Sequence, residues 1–170
     1  MDIDVVMVAF LVGCLSVAIL TDLCFNRIPN WLILATILGG GVVQFLNHQY
    51  MGVLLSASGL LVGFLCFIPL YAFGKMGAGD VKLLAAVGAV VGPKLVFIAA
   101  LMTIIAGGIL ALFYITARGG LPAMARRYTP MITLLAARQP QYLPPEPGEA
   151  AGLRFPYALA IACGTALAVI

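Results

Sequence analysis

The chain has 170 residues, of which 64% are hydrophobic and only 9% are charged, with a net charge of +3. Soluble domains carry about 25% charged residues, so this chain has too little polar surface to cover a water-soluble globule. The composition also excludes a disordered chain, which needs low hydrophobicity and high charge. We therefore expect an all-α, polytopic membrane protein, because helices satisfy their own backbone hydrogen bonds in a bilayer.

Six apolar runs predict six transmembrane helices, of which the fourth is short. In chain order they are Ile3 to about Thr21, Trp31 to about Phe45, Val53 to about Phe73, Val81 to Gly92, Leu95 to Ala117, and Phe155 to Ile170. The N-terminus is acidic, whereas a secretory signal peptide begins with a basic region, so the first run is predicted to be a permanent span. The fourth run rises about 18 Å as a helix and is expected to be sheltered by the others.

The basic residues predict the orientation of these spans. Lysine and arginine concentrate in short loops on the cytoplasmic side of a membrane. With both termini outside, every basic residue except Lys94 lies inside or at the inner interface: Arg27, Lys75, Lys82, Arg118, Arg126, Arg127, Arg138 and Arg154. The segment 118–154 is then a cytoplasmic or interfacial loop within a single membrane-embedded domain, 1–170.

Two acidic residues, Asp22 and Asp80, fall at the cytoplasmic boundary in this topology, where the first span ends and the fourth begins. Asp80 could simply cap backbone N–H groups at the start of its helix. Asp22 is harder to explain locally, because a carboxylate at a helix C-terminus faces the negative end of the helix dipole. It could be hydrated or paired with Arg27, but an ionisable group at the edge of a span is by default a functional candidate.

A pair of carboxyl groups in a partly dry site predicts acid–base chemistry. Two such groups do not both ionise easily, so one keeps a proton. The ionised group can activate a water for attack on a peptide carbonyl, and the protonated group can polarise that carbonyl. His48, the single histidine, lies in the predicted outer loop, which argues against a Ser–His or metal site. We expect no metal, no cofactor and no nucleic-acid partner.

The segment before Asp80 is rich in glycine. Gly74, Gly77 and Gly79 allow unusual dihedral angles and close backbone approach, so a substrate strand could lie against this loop. Lys82 could meet a substrate or lipid charge, or anchor the helix at the interface. Arg27 could pair with Asp22, or only enforce the topology.

At these residues the sequence resembles a known family. Gly77-Ala78-Gly79-Asp80 matches the GxGD motif of intramembrane aspartyl proteases, and with its continuation to Gly88 it is similar to the type IV prepilin peptidases. The segment from Asp22 to Asn30 resembles the first aspartate segment of that family, and Phe155 to Ala160 resembles its last span.

The resemblance implies a bacterial inner-membrane peptidase in which Asp22 and Asp80 are the catalytic pair. Its substrates would be prepilins or pseudopilins, whose short basic leader is removed on the cytoplasmic side. Larger members carry a cytoplasmic insertion with CxxC pairs and also N-methylate the new terminus. Here the stretch from Asp22 to Trp31 leaves no room for that insertion. The chain thus resembles the small branch that serves Flp/Tad-type pili, without methyltransferase activity.

Two other functions remain open at this point. A small carrier or channel could use Asp22 and Asp80 for proton or cation transit, but it should have polar groups near the bilayer midplane. A non-catalytic subunit of a pilus or secretion assembly would keep both aspartates for structural reasons.

Overall fold

The computed structural model of the protein describes residues 5–74, 76–117 and 157–169. These residues form six helices and no strand: α1 (Val5–Phe25), α2 (Asn30–His48), α3 (Tyr50–Ala72), α4 (Ala78–Val91), α5 (Pro93–Ala117) and α6 (Tyr157–Val169). The predicted all-α class is confirmed, and each helix begins and ends within about one turn of its predicted run. The predicted interfacial segment 118–154 lies outside the described residues.

Four helices are long and apolar enough to cross a membrane, namely α1, α2, α3 and α5. Their outer faces expose large apolar side chains such as Leu38, Leu61 and Ile104, as expected of helices that meet lipid. Helices α4 and α6 are shorter, with 14 and 13 residues. The fold is thus that of a polytopic helical membrane protein, and the orientation of its termini stays a prediction.

Helix α4 lies at the centre of the bundle. Nearly all of its 14 residues are buried, and it packs against α2 and α3 and also contacts α1 and α6. Leu83, Leu84 and Val87 are fully covered. The expectation that the other helices shelter the short fourth run is therefore confirmed.

Glycines set the close approach of α3 and α4. A Cβ atom at Gly59 would collide with the carbonyl oxygen of Gly88, and one at Gly63 would lie 2.6 Å from the carbonyl oxygen of Leu84. Small residues let helix backbones approach closely in a membrane, where water does not drive association. This contact fixes the height of α4 in the bundle, and with it the position of Asp80.

The far end of α4 is held by a polar contact. The buried Gln44 side chain donates from Nε2 to the Val90 carbonyl oxygen at 2.7 Å. The link from α2 to α3 at this end is a single residue, Gln49, with a φ of +52°. The longer outer loop predicted around His48 is wrong, since His48 is the last residue of α2. The turn can be this short because Gly52 lies directly against the Gln44 carbonyl group.

The described residues belong to two compact units. One contains the helices up to residue 107 together with α6, and the site described below lies within it. The second spans 108–155, of which the structure describes the end of α5, residues 108–117. In the first unit, the C-terminal end of α1 meets the N-terminal ends of α2, α4 and α6.

Candidate active site

Asp22 lies in the last turn of α1 and is buried, with 8% of its surface exposed. The helix runs about one turn further than predicted and ends where the Asn26 N–H donates to the Asp22 carbonyl oxygen at 2.8 Å. Asn26 adopts a φ of +49°, a left-handed conformation that commonly ends helices. Asp22 is thus held by helical backbone on both sides rather than lying in a loop.

The Asp22 carboxylate is stabilised by another helix. Its Oδ2 accepts a hydrogen bond of 3.2 Å from the backbone N–H of Ala158, in the first turn of α6. N–H groups in a first turn have no partner within their own helix, and they form the positive end of the helix dipole. The unfavourable position of Asp22 at the C-terminus of α1 is therefore offset by the N-terminus of α6.

Asp80 lies in the first turn of α4 and is 9% exposed. The backbone N–H of Gly77 donates to Asp80 Oδ2 at 3.2 Å. Asp80 therefore lies inside the helix, and not before it as the sequence suggested, and it caps the helix by accepting the N–H of Gly77, the residue that precedes α4. This capping bond uses one oxygen of the carboxyl group, so it is compatible with a chemical role for Asp80.

The two aspartates share one cavity. It has a volume of about 240 Å³ and is lined by Asp22, Asn26, Arg27, Ile28, Asn30, Gly79, Asp80 and Lys82. The carboxyl groups of Asp22 and Asp80 are close enough to interact electrostatically. Two acids that are far apart in the sequence thus meet at one end of the bundle, at the common depth that the topology predicted.

The other predicted site residues lie around this pair in different ways. Arg27, Gly79 and Lys82 line the cavity, while Gly77 contacts Asp80 through its N–H group. Lys82 is exposed and donates from Nζ to Asn30 Oδ1 at 3.3 Å. Among the residues that the structure describes, no ion pair joins Arg27 to Asp22.

Sequence analysis missed three groups at the site. Asn26 and Asn30 contribute amide side chains to the lining; both follow Asp22 closely in the chain, and that proximity was a usable signal. The third group is the backbone N–H of Ala158. No side-chain pattern could have indicated it, because every residue except proline carries the same donor.

The described part of the chain contains no cluster of three or more His, Cys, Asp or Glu side chains that could hold a metal ion. The chemically active groups in the cavity are two carboxyl groups, two amide side chains and two cations at its edge. Paired carboxyl groups can exchange a proton with a water and with a carbonyl group held between them.

Comparison with known proteins identifies the family. The model of the type IV leader peptidase family matches residues 9–112. The chain is 31% identical over 101 residues to the prepilin leader peptidase/N-methyltransferase of Bacillus subtilis (strain 168). The aligned residues make up 58% of this chain and 40% of the relative. No solved structure matches the chain. Because the family match covers more than half of the sequence, the chain belongs to the type IV leader peptidase family.

Proposed function

We propose that this member of the type IV leader peptidase family is a membrane aspartic endopeptidase that removes the short basic leader from prepilins or pseudopilins. The observation that carries the proposal is the shared cavity of Asp22 and Asp80, two buried carboxyl groups from α1 and α4. The matched region of the family, residues 9–112, includes both aspartates.

The proposed reaction begins with one proton shared by the two aspartates. The ionised carboxylate takes a proton from water while the water oxygen bonds to the carbonyl carbon of the scissile peptide. The protonated carboxyl group gives its proton to the carbonyl oxygen, which forms a tetrahedral diol. When the C–N bond breaks, the leaving nitrogen takes up a proton from the pair, and a diol hydroxyl returns one. The products are a carboxyl group and an amine, and the pair is again singly protonated.

The roles of acid and base belong to the pair of carboxyl groups and are not assigned to Asp22 or Asp80 separately. Both carboxyl groups accept a backbone N–H at a helix N-terminus, Asp22 from Ala158 in the first turn of α6 and Asp80 from Gly77, the residue that precedes α4. Two strongly interacting groups titrate together, so their proton is a property of the pair.

The cavity lies at the end of the bundle to which the basic residues assign the cytoplasmic side. Arg27 and Lys82 both line it, which agrees with the excess of cations expected at that face of an inner membrane. The peptidase would therefore cut on the cytoplasmic side, at the membrane boundary. Lipid headgroups and the prepilin precursor are the proposed contacts of this face.

We assign the protein to peptidases without methyltransferase activity, of the kind that serves Flp/Tad-type pili. Helix α1 ends at Phe25 and α2 begins at Asn30, so the link between them holds no inserted domain. We also propose that residues 1–170 form a single membrane-embedded domain, in which 118–154 is a cytoplasmic or interfacial loop.

A carrier that moves protons or cations through the bundle is a weaker candidate. Several buried polar side chains away from the cavity are engaged inside the described bundle: Thr36, Thr103 and Thr165 each donate to a carbonyl oxygen of their own helix. Gln44 donates to Val90. In the part of the chain that the structure describes, no fully buried side-chain polar atom lacks a partner. A transit path would instead need polar groups that are free to bind the transported ion.

Co-expression with a Flp-type prepilin tests the proposed activity. Leader removal shortens the prepilin and is followed by gel shift, with the processed N-terminus read by mass spectrometry. We expect cleavage in cells that express the chain and full-length precursor in cells that do not. Precursor that stays intact beside well-expressed protein would favour the non-catalytic assembly subunit.

A further inference from the structure

The first turn of α6 reaches both aspartates. Ala158, which is fully buried, donates its backbone N–H to Asp22. The neighbouring Tyr157 is half-buried against the core and lies close enough to Asp80 for the two groups to interact electrostatically. Helix α6 also packs directly against α1 and α4, which carry the two aspartates. The segment from Phe155 to Ala160 resembled the family's last span, and the proposed reaction gives it no part.

The bond from Ala158 gives the Asp22 carboxylate a backbone N–H donor, which the C-terminal end of α1 does not offer. At the C-terminal end of α1 the local backbone presents carbonyl groups, which repel a carboxylate. An N–H group that donates to an ionised carboxylate forms one of the stronger hydrogen bonds in proteins and fixes the direction of that carboxylate. Because the site is buried, water competes poorly for the same position.

We propose that the backbone N–H of Ala158 is the positioning group for Asp22, and that the first turn of α6 is therefore a structural part of the active site. The effect on catalysis rests on the proposed peptidase function, whereas the contact itself can be tested without it. Ala158 would act through Asp22 and not on the substrate.

Replacing Ala158 by lactic acid is the sharpest test, because it exchanges the backbone N–H for an ester oxygen and keeps the methyl side chain. The same replacement at Ala162 is the matched control, since it removes an N–H from the interior of α6. Ala158→Pro also removes the donor, and Ala158→Val keeps it with a side chain of similar volume. If Ala158→Pro or Ala158→Val fails to accumulate in the membrane, the comparison of the two ester variants alone tests the proposal.

We expect the ester at position 158 to lower kcat by about 10- to 100-fold, since a hydrogen bond to a charged group is lost, with KM changed less than about twofold. The pH–activity profile should move to higher pH, because removing the donor makes the ionised carboxylate harder to form. The ester at 162 should leave the profile in place. Equal losses at 158 and 162, or an unchanged profile at 158, would overturn the proposal.

Nuclear magnetic resonance tests the contact independently of activity. In protein labelled with ¹⁵N-alanine, the Ala158 amide resonance should shift with pH as Asp22 titrates. This step should disappear in Asp22→Asn and persist in Asp80→Asn. If the wild-type chain cleaves no prepilin, the proposed function fails and this titration alone decides the proposal. If the pH-dependent shift of the Ala158 resonance is unchanged in Asp22→Asn, the proposal is overturned.

Discussion

The backbone N–H of Gly77 donates to the carboxyl group of Asp80, three residues further along the chain, at 3.2 Å. This bond places Asp80 in the first turn of α4, facing the cavity that it shares with Asp22. The glycine matters sterically as well, because a Cβ atom at position 77 would lie 3.0 Å from Asp80 Oδ2.

Gly77→Ala should therefore displace the Asp80 carboxyl group and slow cleavage, whereas Gly79→Ala should have a smaller effect. A Cβ atom at position 79 would meet the Ile28 side chain at 3.5 Å, which is an ordinary contact. We expect Gly77→Ala to lose at least about tenfold in kcat/KM, which corresponds to about 1.4 kcal/mol of transition-state stabilisation. Cleavage rates of the purified variants check this ordering, and a larger loss in Gly79→Ala would contradict it.

The contact between α3 and α4 predicts a loss of stability. Gly59→Ala and Gly63→Ala each force a methyl group into the backbone of α4, and overpacking of this kind typically costs about 1–3 kcal/mol. Gly13→Ala is the matched control, because a Cβ atom at Gly13 would meet nothing within 4 Å. Thermal unfolding in detergent should show lower midpoints for the first two variants and not for the control. Equal midpoints for all three would mean that the helices are not in close contact.

The proposed orientation predicts opposite accessibility at the two ends of α2. Arg27 lies before the start of α2, and Tyr50 is the first residue of α3, just beyond the other end of α2; both are exposed, Tyr50 to 82%. In a variant whose four cysteines, Cys14, Cys24, Cys66 and Cys163, are replaced by serine, Arg27→Cys should react with a membrane-impermeant maleimide from the cytoplasmic side. Tyr50→Cys should react from the outer side. The reverse pattern would invert the topology and place the cavity outside the cell.

The shared proton predicts a bell-shaped dependence of kcat/KM on pH. At low pH both carboxyl groups are protonated and no base remains, so activity falls. At high pH both are ionised and no acid remains, so activity falls again. Kinetics with a prepilin peptide across the acidic to alkaline range measures both limbs, while the unfolding temperature at each pH controls for stability. A profile with a single limb would contradict the paired mechanism.

Most of the fold could be predicted from hydropathy, because a long apolar run in a bilayer pairs its backbone N–H and C=O groups by forming a helix. The common depth of Asp22 and Asp80 was also predictable, since the alternation of spans returns both to the same side of the membrane. The contact between Asp22 and Ala158 was not, because it depends on the lateral packing of α6 against α1, and span order does not determine which helices touch. The link at Gln49 was mispredicted as a longer loop for a similar reason. Polar residues such as Asn47, His48 and Gln49 mark a boundary of the apolar run but do not show where the helix ends.

Cleavage by purified Asp22→Asn and Asp80→Asn protein tests the central proposal most directly. Each change keeps the size of the side chain but removes the capacity to ionise, so each should reduce leader removal to the level of an enzyme-free control. Asp4→Asn, at the predicted outer N-terminus, should retain wild-type activity. The variants should accumulate in the membrane and unfold at temperatures close to that of the wild type. Normal cleavage by either Asp22→Asn or Asp80→Asn would remove that aspartate from the mechanism and refute the paired-carboxyl peptidase.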